Sequence, residues 1–483
     1  MAGWDYVADV VVIGFGAAGA AAAITAAEAG VKVIVLEKSG TGGGNTVMSA
    51  AFICPDNREE AFRYIMELKR IEKGVVTEDE AKIIAAFVDE AVENVKWIMR
   101  LGGEVESGPI LPGYPRQPVG ASFPDIIGAE SMKRYRVSGE EPRGGASLFK
   151  LLAENVKKLG VSVFFNTAAK ELIATEGPEV IGVLAERDGR ELRIKARRAV
   201  VLACGGYEYD EELKLQSFYG HPYPAIGAVT NTGDGVRMAI KLGSALWHMG
   251  CAAGYPGFKP PETPHAFPIR MWLPSFIYVD KYSNRFMNET SIEAHLSWLP
   301  FTYFDPVKLE YPRMPCFVIF DETNREAGPL CPHRAVYGEW SLDNTVEIEK
   351  GWIVQAPNVK ELAKKIGLDS ERLVATVEKY NSYCMKGFDE DFGRSGQDLM
   401  PIMKPPYYTI KLWPCILNTQ GGPKRNEKAQ VIHISGKPIK RLYSAGELGS
   451  LWGLIYQSAG NIAECLAFGR IAGRNAAAEE IME

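Results

Sequence analysis

The segment from Val7 to Glu37 constrains the fold of this chain more than any other. An apolar run at residues 7–13 predicts a buried strand, and an alanine-rich stretch from residue 17 to residue 29 predicts a helix. A second apolar run at residues 31–36 predicts another strand, which ends at Glu37. The first strand and the helix are joined by a glycine-rich turn, GFGAAG, at residues 14–19. This order of elements predicts a β-α-β unit that binds a dinucleotide.

Each glycine of this turn has its own physical reason. Gly14 permits the tight turn, Gly16 lets the backbone approach a pyrophosphate, and Gly19 permits close packing of the helix. The start of the helix offers N–H groups and the positive end of the helix dipole to the phosphates. The Glu37 carboxylate is placed to accept hydrogen bonds from ribose hydroxyls and repels a 2′-phosphate.

Composition and charge disfavour several classes of protein. The 483 residues are 46% hydrophobic and 24% charged, as in globular proteins with a generous core. The net charge is −6 and Lys and Arg form no run, so we expect no nucleic-acid partner. No basic residue precedes Lys32, which disfavours a secretory signal, and the apolar stretch at residues 7–30 carries Asp9 and Glu28, which disfavours a membrane span. We therefore expect a cytoplasmic protein.

The cysteines and histidines show no spacing typical of a metal site. The eight cysteines form no CxxC pair, so we expect reduced and mostly buried thiols. Five of the histidines form no ligand pattern with one another or with cysteines, and we expect no bound metal. Those histidines are His221, His248, His265, His333 and His433.

The remaining sequence is regular α/β sequence with one irregular insertion. Apolar residues at helical spacing predict a helix from Glu78 to about Leu101, and short runs between residues 161 and 203 predict strands. Residues 241–355 are rich in Pro and aromatic residues, which favours a separate cap over something apolar. The predicted fold class is α/β: a Rossmann-like nucleotide-binding domain of residues 1–240 plus 356–483, with an inserted α+β capping domain of residues 241–355.

Further segments, in order along nearly the whole chain, decide which dinucleotide is bound. They resemble those of the fumarate reductase, succinate dehydrogenase and 3-ketosteroid dehydrogenase flavoprotein family. The resemblance is weakest at residues 241–355, where that family varies with its substrate. The segments are Gly43-Gly44-Asn45-Thr46 with Ser49, Ala203-Cys204-Gly205-Gly206, Asn231-Thr232-Gly233-Asp234-Gly235, and Ser444-Ala445-Gly446-Glu447 with Ser458-Ala459-Gly460-Asn461.

This resemblance implies an FAD-dependent oxidoreductase whose larger domain is a Rossmann-like FAD-binding domain. It places residues 43–49 along the ribityl chain and the flavin, has Asp234 and Glu447 bind FAD, and brings backbone near residues 460–462 to the pyrimidine edge. The predicted FAD-binding residues are Gly14, Gly16, Ala18, Gly19, Glu37, Lys38, Gly43, Gly44, Asn45, Thr46, Ser49, Ala168, Ala203, Gly205, Asp234, Gly446, Glu447, Asn461 and Ile462.

Two features concern how the FAD is attached and how it exchanges electrons. The membrane-complex members of the family attach FAD through a histidine beside this threonine, but here the matching residue is Asn45, which implies non-covalent FAD. The chain contains a single dinucleotide fingerprint. We therefore expect a separate electron acceptor or donor rather than a built-in NAD(P)H domain.

The residues that bind dicarboxylates in the fumarate reductases differ here. To deliver the proton, those enzymes use an arginine four residues past the Asn-Glu of an R-F-x-N-E motif, whereas the motif at residues 285–289 is followed at that distance by Glu293. The stretches that carry their carboxylate-binding histidine and arginine correspond to residues 416–422 and 456–460, which contain neither. Because an unpaired carboxylate in a dry pocket is unfavourable by several kcal/mol, fumarate and succinate are poor candidates.

The ketosteroid dehydrogenases of the same family have a Y-x-x-x-G arrangement whose phenol and backbone N–H bind the ketone oxygen, and Tyr456 and Gly460 match it. Removing a hydride from the β-carbon and a proton from the α-carbon builds negative charge on that oxygen, which two donors stabilise. We predict Glu293 as the proton-transfer residue, with a pKa raised by desolvation, and His295 in reserve. Tyr282 lies near enough in sequence to do the same work.

Other interpretations remain open at this stage. Tyr456 is alternatively a core phenol bonded to backbone, and Glu293 a solvated residue. A second hypothesis retains the fold but takes an unsaturated acid of the methacrylate, cinnamate or urocanate type, with Arg270, Arg116 or Arg143 as the carboxylate clamp. A third is an FAD-bearing electron-transfer subunit with no substrate pocket of its own.

Overall fold

The computed structural model describes residues 3–107, 120–139, 144–177, 179–331 and 340–482. The chain forms two compact units. The first consists of Met1–Ser217, Gly227–Ala253 and Asn418–Glu483, and the second of Phe218–Ile226 and Gly254–Leu417. Arg116, Arg143 and His333 lie outside the described residues.

The strands are named in chain order. They are β1 (Tyr6–Ile13), β2 (Val33–Leu36), β3 (Phe52–Ile53), β4 (Val105–Ser107), β5 (Arg134–Val137), β6 (Ser162–Phe164), β7 (Thr167–Ala174), β8 (Val180–Arg187), β9 (Arg190–Leu202), β10 (Leu246–Trp247), β11 (Ala252–Phe258), β12 (Phe267–Pro268), β13 (Phe276–Val279), β14 (Cys316–Asp321), β15 (Val354–Ala356), β16 (Tyr407–Thr419), β17 (Gly422–Pro423), β18 (Gln430–Ile432) and β19 (Pro438–Ser444).

The α-helices are named in the same way. They are α1 (Ala17–Glu28), α2 (Asn45–Met48), α3 (Arg58–Lys73), α4 (Glu78–Ala91), α5 (Asn94–Arg100), α6 (Gly144–Lys158), α7 (Glu211–Ser217), α8 (Asp234–Lys241), α9 (Glu322–Ala327), α10 (Thr345–Glu349), α11 (Val359–Ile366), α12 (Ser370–Lys386) and α13 (Gly460–Ala478). Short 3-10 helices lie at Ala129–Ser131, Ala294–Leu296, Leu299–Thr302 and Gly396–Asp398.

The main sheet of the first unit has a parallel centre. Its strands follow the order β18-β19-β9-β1-β2-β6, with β1 parallel to β2 and β9, and β19 parallel to β9. A strand covered on both faces needs continuous apolar sequence, and residues 10–13 and 33–36 are buried throughout. Helices α1 and α13 belong to the hydrophobic core that covers this sheet. The predicted β-α-β unit is confirmed, with its second strand beginning at Val33.

The strands predicted between residues 161 and 203 are also present, with one difference. Two of these short runs, residues 191–196 and residues 199–203, form most of the single strand β9, which continues through residues 197–198. Arg197 at that point pairs with Asp9 at 2.7 Å, opposite the register irregularity between Ala8 and Val10. β9 thus pairs with β8 antiparallel at its beginning and with β19 parallel at its end.

The prediction of one continuous helix from Glu78 to Leu101 was wrong. The structure has α4 and α5 instead, separated at residues 92–93. Asn94, at the start of α5, is buried, and its amide donates to the carbonyl of Ile53 at 3.1 Å and accepts from Arg470 at 2.9 Å. These tertiary hydrogen bonds position α5 independently of α4. The apolar periodicity of the sequence does not reveal such hydrogen bonds.

The second unit is built on a sheet in the order β12-β11-β16-β14-β13, with β15 also paired to β16. Helices α11 and α12 pack against β13 and β14 in one hydrophobic cluster. The unit therefore extends to Leu417, beyond the capping domain of residues 241–355 expected from sequence. The physical reason is pairing: β16 lies between β14 and β15, so residues 407–417 complete the sheet of this unit.

A buried ion network connects the parts of the second unit. Arg285 pairs with Glu289 and Asp389, in each case at 2.8 Å, and Arg394 pairs with Glu289 at 3.1 Å. The Arg394 guanidinium also donates to the backbone carbonyls of Phe276, Pro274 and Asp398. The Arg and Glu of the R-F-x-N-E motif thus lie in the interior, where an ion pair needs complete hydrogen bonding to be tolerated.

Within the described residues, no helix combines the length and apolar character needed to cross a membrane. The same part of the chain contains no group of three or more His, Cys, Asp or Glu side chains arranged to hold a metal ion.

We predict that Arg394→Met destabilises the protein by about 3 kcal/mol or more, because the Glu289 charge and three carbonyls lose their partner in the interior. Urea unfolding followed by tryptophan fluorescence measures this change. The matched control is Arg372→Met, since Arg372 is exposed and its guanidinium donates to the Asn284 side chain; its effect should stay within about 0.5 kcal/mol. Equal effects of the two substitutions would contradict the assigned role of Arg394.

Candidate cofactor and substrate site

The predicted FAD-binding residues of the first unit gather at the carboxyl ends of its parallel strands. The turn at residues 14–16 follows β1, Glu37 follows β2, residues 203–206 follow β9, and residues 445–447 follow β19. Since β1, β2, β9 and β19 are neighbours and run parallel, their ends meet at one edge. In open α/β sheets this edge is where a nucleotide binds.

The glycines of the first turn differ in what surrounds them. Gly14 has φ +101°, and a Cβ there would lie 2.4 Å from the carbonyl oxygen of Ala203. A Cβ on Gly19 would lie 2.0 Å from the carbonyl oxygen of Gly14. A Cβ on Gly16 would meet the Thr46 hydroxyl at an ordinary 3.4 Å. Gly14 and Gly19 are therefore required by the fold, whereas Gly16 leaves space beside the start of α1.

The start of α1 fits a phosphate group. Its N-cap, Gly16, provides no side-chain cap, and the N–H of Ala17 donates to Thr46 Oγ1 at 2.9 Å. N–H groups of a first helical turn that lack a side-chain cap bind anions well. The Glu37 carboxylate accepts from the N–H of Phe15 and of Ser39, each at 2.9 Å, and so fixes the turn relative to the end of β2.

The loop at residues 43–49 folds over this turn. The Gly43 N–H donates to the Phe15 carbonyl at 2.7 Å, and the Ser49 hydroxyl donates to the Thr46 carbonyl at 2.7 Å. Gly43 and Gly44 both have positive φ, +116° and +47°, which lets the chain reverse into α2. The loop thus lies beside the nucleotide turn.

Polar contacts attach the other predicted FAD residues to the same edge. The Lys38 ammonium donates to Thr232 Oγ1 at 2.6 Å and to the Asp234 carboxylate at 2.7 Å. Ala168 lies in β7 beside Thr167, whose N–H donates to the Glu37 carbonyl at 2.8 Å. Two glycines are closely packed there: Gly205 lies against Asn231, and Gly446 lies against Ala18 and Cys465. The Ala203 N–H donates to the Ile13 carbonyl.

Burial raises the pKa of the Cys204 thiol to about 12. The thiol is therefore protonated at neutral pH and is not a nucleophile.

Two glutamates that face each other complete the edge, and only one was predicted. Glu208 Oε1 accepts from the amides of Asn45 at 2.8 Å and Asn231 at 2.9 Å, and Glu447 Oε2 accepts from the same Asn45 amide at 2.9 Å. Burial raises the pKa of both carboxyls, and for Glu447 the nearby charge of Glu208 adds to the effect. Glu208 was not predicted from the sequence, although it lies only two residues after the motif at residues 203–206.

A second polar cluster surrounds the start of α13. The N–H of Asn461 donates to the Tyr456 hydroxyl at 3.4 Å, and the Asn461 side chain exchanges hydrogen bonds with Gln420 at 2.9 and 3.3 Å. Tyr456 is 5% exposed and belongs to the main core, with an edge-on contact to Trp452. The Gly460 N–H donates to the Gln457 carbonyl at 2.8 Å, and the N-cap of α13 has no side-chain cap. Ile462 lies in the first turn of the helix.

In the two stretches where the resemblance implies acid-binding cations in the fumarate reductases, this chain carries the neutral amides Asn418 and Gln457. Gln457 is fully buried; its side-chain oxygen accepts from Tyr64 at 2.6 Å and from the Ser122 N–H at 2.8 Å, and its amide donates to the Ser458 carbonyl. The Asn418 amide donates to the Asn461 side chain at 3.4 Å. Sequence comparison alone showed that the cations are missing; the structure shows that Asn418 and Gln457 are engaged within the first unit.

Glu293 and His295 belong to the second unit and form a dyad. Glu293 Oε2 accepts from the His295 N–H at 2.7 Å, and Glu293 Oε1 lies 2.9 Å from His295 Nδ1. Both side chains are largely buried, at 7% and 13% exposure, so Glu293 is not a solvated residue. Tyr282, the other nearby candidate, instead donates to Glu310 at 2.5 Å.

Arg270 lies next to this dyad within the second unit. Its guanidinium carbon is 4.3 Å from the centre of the Tyr255 ring, and that ring is 5.0 Å from the His295 ring. The cluster thus contains the cation of Arg270, the phenol of Tyr255, the imidazole of His295 and the carboxylate of Glu293. The aromatic residues of the second unit pack mainly against one another, as Phe267 does against Trp340 and Trp352.

We predict that Gly16→Ala leaves the fold intact but weakens FAD binding at least about tenfold, because its methyl group would occupy the space left for the pyrophosphate. FAD fluorescence on reconstitution measures the affinity. Gly19→Ala is the control for packing: its methyl group meets the Gly14 carbonyl, so thermal unfolding should shift as well. Unchanged FAD affinity in Gly16→Ala would contradict the proposed approach of the phosphates.

Comparison with known proteins agrees with this geometry. The FAD binding domain family matches residues 9–462. An NADH:fumarate oxidoreductase of Klebsiella pneumoniae is 27% identical over 97% of this chain, which spans only 47% of that protein. A 3-oxosteroid 1-dehydrogenase of Mycolicibacterium smegmatis is 29% identical, over 99% of this chain and 98% of the relative.

Among solved structures, a 3-ketosteroid Δ1-dehydrogenase of Sterolibacterium denitrificans in complex with 1,4-androstadiene-3,17-dione superposes with a TM-score of 0.84 at 24% identity. The match covers 98% of this chain and 99% of the other. At this identity the likeness establishes the fold, and it confirms the predicted Rossmann-like FAD-binding domain with a capping domain. The sequence resemblance and the FAD cofactor are confirmed by the family match: the chain belongs to the FAD binding domain family that includes the fumarate reductase type of flavoprotein.

Proposed function

We propose that this flavoprotein transfers a hydride to or from a carbon–carbon bond next to a carbonyl, and that its substrate is a cyclic or steroid-like ketone. The supporting observation is the cluster at the start of α13, where Tyr456, Asn461, Gln420 and Asn418 provide neutral hydrogen-bonding groups. A neutral carbonyl needs such donors, whereas a carboxylate needs a cation. The relatives named as 3-oxosteroid dehydrogenases support the same substrate class.

Bound FAD supplies two-electron hydride chemistry, and the chain stabilises the charge that develops on the substrate. Tyr456 accepts a hydrogen bond from the Asn461 N–H, and a hydroxyl that accepts a hydrogen bond becomes a stronger donor through its own proton. The start of α13 adds the positive end of a helix dipole. Both effects favour negative charge on a carbonyl oxygen at this position.

Gly460 is the second proposed donor, and its N–H would have to be shared between two acceptors. Its N–H already donates to the Gln457 carbonyl at 2.8 Å. Such N–H groups at helix ends are commonly bifurcated between two acceptors. We therefore assign the larger contribution to Tyr456.

The proton is proposed to move through the Glu293–His295 dyad. A carboxylate that accepts from Nδ1 of an imidazole fixes its tautomer and leaves Nε2 as the basic nitrogen. In dehydrogenation the dyad takes the α-proton while the β-hydride leaves, and in reduction both transfers are reversed. Glu293 and His295 thus act together, with Glu293 either the acceptor or the residue that orients His295.

The electron partner is proposed to be a separate molecule, because the sequence carries only one dinucleotide fingerprint. A cytoplasmic location is proposed because all eight cysteines are free thiols, as is usual in a reducing compartment.

We predict that Tyr456→Phe lowers turnover about tenfold or more, equivalent to about 1.4 kcal/mol, while the flavin content stays unchanged. Steady-state assays with 3-ketosteroids and a dye as electron acceptor measure turnover. Tyr443→Phe is the control, because Tyr443 is also a buried phenol of the first unit but donates to Glu479. Equal turnover of the two variants would refute the role of Tyr456.

The alternative substrate, an unsaturated acid, is favoured by one observation, the position of Arg270 next to the dyad. Anaerobic titrations of the flavin absorbance separate the hypotheses. We expect saturated ketones to bleach the oxidised flavin, or enones to reoxidise the reduced flavin, with cinnamate, methacrylate and urocanate inactive. Activity with an acid that is lost in Arg270→Gln would establish the alternative, and no spectral response to any compound would favour an electron-transfer subunit.

A further inference from the structure

Glu208 and Glu447 are buried side by side, with exposures of 0% and 8%. One amide group, that of Asn45, donates to both carboxyls. The Asn45 side-chain oxygen accepts from the Ala228 N–H at 2.7 Å. The orientation of Asn45 is therefore fixed jointly by the two glutamates and by the backbone at Ala228.

The other two carboxyl oxygens converge on one point. A Cβ on Gly206 would lie 2.4 Å from Glu447 Oε1 and 2.6 Å from Glu208 Oε2, and Thr419 Oγ1 reaches the same place. Within the part of the chain that the structure describes, neither oxygen has a hydrogen-bond donor and neither glutamate forms an ion pair with Lys or Arg. Two ionised carboxylates would thus face each other away from water with no cation between them.

A single proton resolves this conflict. A carboxylic acid donates to a neighbouring carboxylate, which turns repulsion between like charges into a hydrogen bond, and one of the two pKa values is then raised strongly. We propose that Glu208 and Glu447 share one proton and act as one positioning unit, which holds the Asn45 amide in the FAD site and makes FAD retention depend on Glu208 and on pH.

This proposal rests on the FAD cofactor and not on the ketone chemistry. Glu447 and Asn45 are among the proposed FAD-binding residues, whereas Glu208 is not. Deprotonation would leave two charges on the pair, drive the carboxylates apart and release Asn45 from one of them. Since a raised pKa means that the folded protein holds the proton more tightly than the unfolded chain, this contribution to stability is lost as the pH rises.

Among the residues that the structure describes, the other titrating groups near the pair do not supply a compensating positive charge. The negative charge of Glu447 contributes to the raised pKa of the buried Cys465 thiol on α13, and that of Glu208 to the raised pKa of the Tyr207 phenol. The Arg425 guanidinium contacts the carbonyl of Gly446 but is paired with Glu464. Cys465 and Tyr207 stay neutral over the pH range of the test, so the glutamates themselves dominate the expected change.

The test compares the purified flavoprotein with Glu208→Gln. The glutamine amide supplies the N–H that the shared proton would provide, at every pH. From about pH 6 to about pH 9 we expect the FAD dissociation constant of the wild type to rise about tenfold, and that of Glu208→Gln to change less than about threefold. Fluorescence of released FAD measures this. Thermal unfolding of the protein stripped of FAD should show the same contrast in pH dependence.

Two further variants separate positioning from general stability. Glu208→Ala removes one of the two acceptors for the Asn45 amide and should weaken FAD binding at every pH, so the glutamine variant is the conservative rescue. Glu186→Gln is the control on an exposed strand position and should follow the wild type. Parallel pH profiles for the wild type and Glu208→Gln would overturn the proposal.

Infrared spectra of the wild type test the shared proton directly and do not depend on whether a variant folds. At low pH the C=O band of a buried carboxylic acid should be present both in the wild type and in Tyr456→Phe, which leaves the pair intact. In both proteins this band should disappear as the pH is raised. Absence of this band at low and high pH would also overturn the proposal. Failure of the ketone assignment would leave both results unchanged.

Discussion

The close approach of β1 and β9 at Gly14 is the contact on which the first unit depends. The Ala203 N–H donates to the Ile13 carbonyl and the Gly14 N–H donates to the Leu36 carbonyl, so the ends of three parallel strands are fixed together. A Cβ on Gly14 would lie 2.4 Å from the Ala203 oxygen, which excludes any other residue without movement of the backbone. The nucleotide turn, the 43–49 loop and the acidic pair all follow from this junction.

The groups along this edge differ in their charge. The N–H groups at the start of α1 lack a side-chain cap, and the buried carboxyls Glu208 and Glu447 face amide donors. At the start of α13 the contacts are made by a phenol and neutral amides. An edge with these groups suits a dinucleotide and an uncharged carbonyl better than a dicarboxylate. The cationic group of the second unit, Arg270, is the observation that keeps an acid substrate open to test.

Much of the nucleotide site was predictable because its signal is local. The turn at residues 14–19 and Glu37 lie within one β-α-β unit, whose period and glycine spacing are visible in sequence. Glu208 has no such pattern, because its role arises from Asn45 and Asn231, which lie in other segments of the chain. The break between α4 and α5 was missed for the same reason, since it depends on hydrogen bonds of Asn94 to β3 and to Arg470.

The sequence by itself determined the family, the FAD cofactor and the absence of the usual carboxylate-binding cations, because each is written in short segments with fixed spacing. Only the tertiary structure decided which groups meet. It joined Glu293 to His295 in a dyad, engaged the Gly460 N–H with Gln457, and enclosed Glu208 with Glu447. The physical reason is that burial and hydrogen bonding, which set the protonation and orientation of these groups, depend on contacts between residues far apart in the chain.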